Sequence, residues 1–280
     1  MPPANARSRR FLRHSRKKVR TVLHGLRPSG IYGRFATPAV LLNSIPKAGT
    51  HLLESALERY PRLRNAGKRT VSSWIDVPDP VIHAIASIRK GAFLNAHVPA
   101  APELLQVVES RNIRVLFMIR DPRDIVVSHF KYVSGIDSTH RLYAYYNALP
   151  DDDARLMASI TGIPELKPSI GEILDEFYGW TGIASAITCR FEDLIGPQGG
   201  GSREAQYNTL TRVSQHLDIP LSRKELERIA AGMFSSRSST FRKGRRGAWR
   251  GFFKDEHIAK FKEVAGDAII RYGYETNSNW

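Results

Sequence analysis

A single cysteine, Cys189, occurs in the 280 residues, so an intrachain disulfide framework is excluded and a reducing compartment fits. No carboxylate precedes Glu54. No apolar run approaches the length that spans a bilayer, and no signal-peptide core follows the basic cluster near the start. These absences predict a soluble, cytoplasmic protein. The G-x-x-x-x-G-K-[ST] spacing of a Walker loop is also absent, which argues against a P-loop kinase.

Positive charge is abundant, with a formal net charge of +15, but it is unevenly placed. Ten of those fifteen excess charges fall in residues 1–35. The pattern divides the chain into a basic N-terminal arm, residues 1–35, and one domain, residues 36–280, whose 42% hydrophobic content over the whole chain suffices for a large core. A basic arm on a mildly basic domain differs from a uniformly basic nucleic-acid surface, so no nucleic-acid partner is expected. Within the arm, Phe11, Leu12, Val19, Val22, Leu23 and Leu26 fall near one helical face, with Arg13, Arg16, Lys17 and Arg20 largely off it. Three readings stand for it: peripheral contact of residues 1–30 with an anionic membrane, an organelle transit peptide, or a solvated tail.

The stretch from Val40 to Glu54 organises the rest. An apolar run, a short loop holding Pro46, Lys47 and Gly49, and a helix opening at Thr50 describe a strand feeding a helix through a phosphate-sized turn. Free N–H groups, the positive end of the helix dipole and the Lys47 ammonium would converge there on one anion. An ordinary turn with a solvated lysine is the alternative. A second such unit follows: the apolar strand Arg114 to Ile119 ends in Arg120-Asp121-Pro122, with Asp121 as N-cap and Pro122 as first helical residue. Arg120 and Ser128 would hold another anion, unless Arg120 pairs with Asp121 or Asp124 and Ser128 has no role. The cationic stretch Arg242-Lys243-Gly244 with Gly247 suits a loop that wraps an anion, or a solvated basic loop.

Other stretches say less. His97, ahead of Val98-Pro99 and just past a strand end, sits where open α/β sheets carry chemistry, although a lone histidine there is more often structural. Asp151-Asp152-Asp153 predicts a solvated helix N-terminus rather than a metal site, because adjacent side chains do not converge. The aromatics between Tyr132 and Trp180 read mainly as packing, some of them lining an acceptor site. Residues 61–93, with Val77-Pro78-Asp79-Pro80, read as a surface region of turns near that site.

Pro46-Lys47-Ala48-Gly49-Thr50 resembles the P-K-S-G-T loop of sulfotransferases that use 3′-phosphoadenosine 5′-phosphosulfate (PAPS). Asn95-Ala96-His97-Val98-Pro99 resembles that family's T-H-L-P segment, with Asn95 where a lysine is common. Arg120-Asp121-Pro122-Arg123-Asp124 resembles its R-N-P-R-D segment, Phe191-Glu192-Asp193-Leu194 its Y-E-D-L segment, and Arg242 to Trp249 its R-K-G-x-x-G-x-W loop. All five stand in the family's order, over roughly residues 38–275. Lys254-Asp255 and Ala259 depart from a dimerisation pattern of cytosolic members, so that dimer is not carried over and the oligomeric state stays open.

The resemblance implies a single α/β domain with a mostly parallel β-sheet flanked by helices and a phosphate-binding strand-loop-helix like that of P-loop kinases. It implies a metal-free sulfotransferase with PAPS as donor and a hydroxyl-bearing small molecule, glycan or lipid as acceptor, carbohydrate or lipid slightly favoured. His97 falls on the family's base and Lys47 on the cation at the leaving phosphate. Lys47, Ala48, Gly49, Thr50, His51 and Leu52 fall on the 5′-phosphosulfate loop, Arg120, Ser128, Arg242, Lys243 and Gly244 on the 3′-phosphate site, and Phe191 on the adenine contact. Leu52 stands where many members have a tryptophan, and His51 replaces a threonine. Outside this family, a metal-dependent nucleotide kinase or a non-catalytic nucleic-acid-binding protein are the alternatives.

Overall fold

The computed structural model describes residues 37–67, 70–72, 78–234 and 245–280. The basic arm, the membrane contact expected of residues 1–30, and Arg242, Lys243 and Gly244 all lie outside the described residues. Among the described residues no helix is long and apolar enough to cross a membrane.

Strand β1 (Val40–Ser44) is fully buried because it runs through the middle of a parallel sheet, where both faces are covered; apolar Val40 to Leu42 lead into two buried polar residues, Asn43 and Ser44. It feeds helix α1 (Thr50–Leu57), which passes into turns before Pro61. Two short strands, β2 (Arg64–Asn65) and β3 (Val71–Ser72), and helix α2 (Pro78–Ala86) come next. That helix replaces the turns expected at Val77-Pro78-Asp79-Pro80. First-turn positions have no intrahelical N–H bond to lose, so Pro78 and Pro80 start a helix there.

The chain continues through β4 (Ala92–His97), α3 (Pro102–Ser110), β5 (Arg114–Ile119) and α4 (Pro122–Gly135). After α5 (Tyr143–Ala148), α6 (Asp152–Thr161) and α7 (Ile170–Tyr178) it returns to the sheet as β6 (Ala186–Arg190). The short α8 (Phe191–Leu194) and the helices α9 (Arg203–His216), α10 (Arg223–Met233) and α11 (Asp255–Arg271) complete it. Strand order is β2-β4-β1-β5-β6, with β3 also on β4, and every pairing is parallel.

This order positions the site. The chain leaves β1 toward β4 on one side and later reaches β5 on the other, so the strand order reverses at β1 and a crevice opens at the carboxyl ends of β4, β1 and β5. Asn43 pins the β4 side: its amide donates to the Val98 carbonyl at 2.9 Å and accepts from the Val98 N–H at 3.1 Å. Buried Trp180 donates its indole N–H to the same carbonyl at 2.9 Å, so the segment after His97 is held from two directions.

Behind the sheet, α7 and α11 cross at Gly171, where an added Cβ would stand 2.0 Å from the Val264 carbonyl oxygen. A backbone atom cannot step aside as a side chain can. Gly171→Ala is therefore expected to separate the two helices and lower stability by about 1–3 kcal/mol, the usual penalty of overpacking. Thermal denaturation checks this, and an unchanged melting temperature would contradict the crossing.

Candidate active site

Between β1 and α1 the loop turns through two left-handed residues, Lys47 (φ 69°) and Gly49 (φ 103°). For Gly49 this conformation costs little, and the space is also reserved: a Cβ there would lie 2.5 Å from Cδ2 of Phe191. Lys47 adopts the left-handed region as a non-glycine residue, which is strained. No side chain caps α1, so its first-turn N–H groups face the loop's concavity without a side-chain acceptor. Ala48 is buried and its N–H closes the turn on the Ile45 carbonyl at 3.0 Å.

His97 ends β4 beside this loop. Its Nδ1 lies 2.9 Å from the Ser44 carbonyl oxygen and 3.0 Å from Ser44 Oγ. A carbonyl oxygen can only accept, so Nδ1 carries the proton and Nε2 keeps its lone pair. Ser44 Oγ is in turn 2.7 Å from Thr50 Oγ1, which ties the histidine to the first residue of α1. Burial pulls the His97 pKa down to about 4; the Ser44 hydrogen bond opposes this, and the charges of His51 and Lys47 add to it.

Lys47 extends over the ring of Tyr132 in α4, with Nζ 3.4 Å from the ring centroid. Burial and the neighbouring Arg120 lower its pKa to about 8, against the pull of Asp137.

Arg120 leaves the tip of β5 and lies with its guanidinium carbon 4.4 Å above the Phe191 ring. Its Nη2 reaches Asp124 at 3.6 Å and donates to the Arg245 carbonyl at 3.2 Å, while its Nε is buried without a partner among the described residues. Phe191, 3% exposed, is thus a wedge between the two turns, with Gly49 against its ring and Arg120 upon it. Asp121 caps α4 as expected, accepting from the Arg123 N–H at 3.0 Å, and also holds the Arg123 side chain.

Not every expected residue points inward. His51 is exposed and bonds Glu54 at 2.9 Å, and Leu52 is buried in the core. Ser128 lies two turns into α4, half-buried, on the same helical face as Tyr132 four residues later. The three aspartates start α6: Asp151 caps it, Asp152 pairs with Arg155, and Asp153 pairs with Lys254. Among the described residues no cluster of ligands suits a metal ion.

A sulfotransferase-domain family model matches residues 37–181, just over half of the chain. The chain belongs to the sulfotransferase family. Solved structures similar to this sulfotransferase include mouse sulfotransferase SULT7A1 complexed with PAP, at 18% identity and TM-score 0.59, with 83% of this chain and 84% of that one covered. Retinol dehydratase in complex with androsterone and inactive cofactor PAP matches at 16% identity and TM-score 0.56, covering 82% and 80%. The same enzyme with retinol and PAP matches at 17% and 0.57, covering 85% and 83%. These likenesses establish the α/β fold. A search of curated protein sequences finds no match.

Two functional groups went unread in the sequence of this sulfotransferase. Asp124 had been expected only as one option for Arg120. Its carboxylate also accepts from the backbone N–H groups of Gly247 and Trp249, both at 2.8 Å, so it fastens the C-terminal loop to α4 beside Arg120. Its burial raises its pKa, an effect opposed by Arg120 and by those two N–H groups. Ser44 gave no signal, since a serine closing an apolar strand is unremarked until its partners are known. Removing the carboxylate in Asp124→Ala leaves two amides without their acceptor and Arg120 without its buried counter-charge, a loss of about 3 kcal/mol or more. Amide hydrogen exchange at Gly247 and Trp249 should accelerate before the rest of α4 responds; equal protection in the variant would refute the tether.

Proposed function

We propose that the protein transfers the sulfuryl group of PAPS to an acceptor hydroxyl, with His97 as general base and Lys47 as the cation at the leaving phosphate oxygen. The observation that carries this reading is the convergence of a base with a fixed tautomer, His97, and a desolvated ammonium, Lys47, on one anion-sized turn. A fit test supports the donor. Uncapped N–H groups at α1 and a buried Arg120 Nε, unpartnered among the described residues, offer two separate anion sites on either side of the Phe191 wedge, as a nucleotide phosphorylated at both ends requires. PAP in the complexes of the similar structures supports the same donor.

When bound, PAPS supplies an activated sulfuryl group whose S–O bond to the 5′-phosphate breaks as the acceptor oxygen attacks. Nε2 of His97 takes the acceptor proton, and Ser44 keeps the imidazole in the tautomer that permits it. Lys47 meets the charge that develops on the phosphate oxygen, in a cleft where low dielectric strengthens the contact. Gly49, Thr50 and His51 supply the N–H groups of the 5′ site, while Ala48 closes the turn that presents them. Arg120 and Ser128 serve the 3′-phosphate, together with Arg242, Lys243 and Gly244 of the segment that precedes Gly247. Phe191 and Leu52 act on the nucleotide by packing beneath these groups. For the acceptor, retinol and androsterone in the retinol dehydratase complexes are lipophilic alcohols, which supports the lipid side of the carbohydrate or lipid expectation.

Transfer of labelled sulfate from PAPS to a panel of lipophilic alcohols and glycans tests the reading. His97→Ala should retain its fold and lose at least about a hundredfold in rate, the usual range for a general base. For the free enzyme, kcat/KM should rise through about pH 4 as His97 loses its proton and fall through about pH 8 as Lys47 loses its own. Activity of His97→Ala within a few fold of wild type would end the assignment of the base.

A further inference from the structure

Lys47 carries a full charge into a cleft wall, and among the described residues no carboxylate pairs with it directly. What it meets is the face of Tyr132, at 3.4 Å from the centroid, well inside the range of a cation–π contact. Tyr132 is itself fixed. Its hydroxyl donates to Asp137 Oδ2 at 3.0 Å, and its ring stands edge-on to His140 at 6.2 Å. It rises from α4 four residues beyond Ser128, so the helix that follows Arg120 also reaches back to the loop after β1.

We propose that Tyr132 is a positioning residue for Lys47: the face of its ring holds the ammonium at the mouth of the anion loop, in the place a carboxylate would otherwise take. The distinction has consequences. A carboxylate would steady the ammonium but would also repel an incoming phosphosulfate and compete with it for Lys47. An aromatic face steadies the charge without adding a negative one, and the ammonium can swing to a ligand with little to give up. Hydrogen bonding to Asp137 makes the phenol ring more electron-rich and so strengthens its hold. The charged and titratable groups around Lys47 are otherwise of the wrong sign or weak: Arg120 from the end of β5, His97 from β4, His129 from α4 and His140 beyond it, with Asp137 alone opposing them. Tyr132 is therefore the only described direct contact of the ammonium that favours its charged form. This inference takes from the proposed function only that Lys47 is the cation of the 5′ site.

The test reads Lys47 itself. In protein labelled with 13C-lysine, the Lys47 Cε resonance, identified by its loss in Lys47→Arg, should titrate near pH 8. Tyr132→Leu should move that titration down by about half a pH unit to a little over one, the equivalent of a lost desolvated cation–π contact, because the charged form loses its support. Tyr132→Phe keeps the ring and should restore the titration. In sulfuryl transfer, kcat of Tyr132→Leu should fall about tenfold, with most of the loss recovered by phenylalanine. Should the leucine variant fail to fold, Tyr132→Met fills the space without a ring and reads the same shift. An identical Lys47 titration in wild type and in the ringless variant would overturn the proposal, as would a phenylalanine variant shifted as far as leucine. Failure of the wild type to transfer sulfate would count against the proposed function, while the titration alone decides the part of Tyr132.

Discussion

Two cations stand at the carboxyl ends of neighbouring parallel strands, and holding them there out of bulk water is the constraint on which the site depends. Burying a charge is costly without compensation. Each cation lies on an aromatic face, Lys47 on Tyr132 and Arg120 on Phe191, and only Arg120 has a buried carboxylate near it, Asp124 at 3.6 Å. Among the described residues Arg120 Nε has no partner and no carboxylate pairs directly with Lys47, so the two cations are incompletely neutralised. An anionic nucleotide is the natural complement of such a cleft, and burial, with the Lys47 charge adding to it, keeps His97 neutral beside it.

The fold brings these groups together by one topological fact. Because β1 lies between β4 and β5, the ends of three consecutive sheet positions carry His97, Lys47 and Arg120. Local chemistry then sets the finer geometry. Ser44 joins the histidine to the loop, Phe191 holds the two turns apart, and Asp124 ties the distant Gly247 and Trp249 to the start of α4. The proposed base, the two candidate anion sites and the loop at Gly247 thus share short mechanical connections.

Legibility in the sequence followed the range of the interaction. Strand β5 could be read to the residue from its unbroken apolar run, and the start of α4 from Asp121-Pro122, since capping and burial in a parallel sheet are local signals. Helix α2 was misread as turns because proline marks both loops and first helical turns. Lys47, His97 and Arg120 were legible as candidates, helped by their resemblance to family motifs. Tyr132 and Ser44 were not, because their roles arise only when α4 and β4 pack beside the β1 loop. A ring that supports a lysine has the same letter as a ring that fills a core.

The claim at the centre of this account is that the cleft holds one nucleotide by phosphates at both its ends. Calorimetry of 3′-phosphoadenosine 5′-phosphate against AMP tests it most directly, because the two differ only in the 3′-phosphate. The account predicts much tighter binding of the bisphosphate, and a selective loss of at least about 1.5 kcal/mol for that ligand in Arg120→Ala, the order of one charge-assisted hydrogen bond. Equal affinity for the two nucleotides would contradict it.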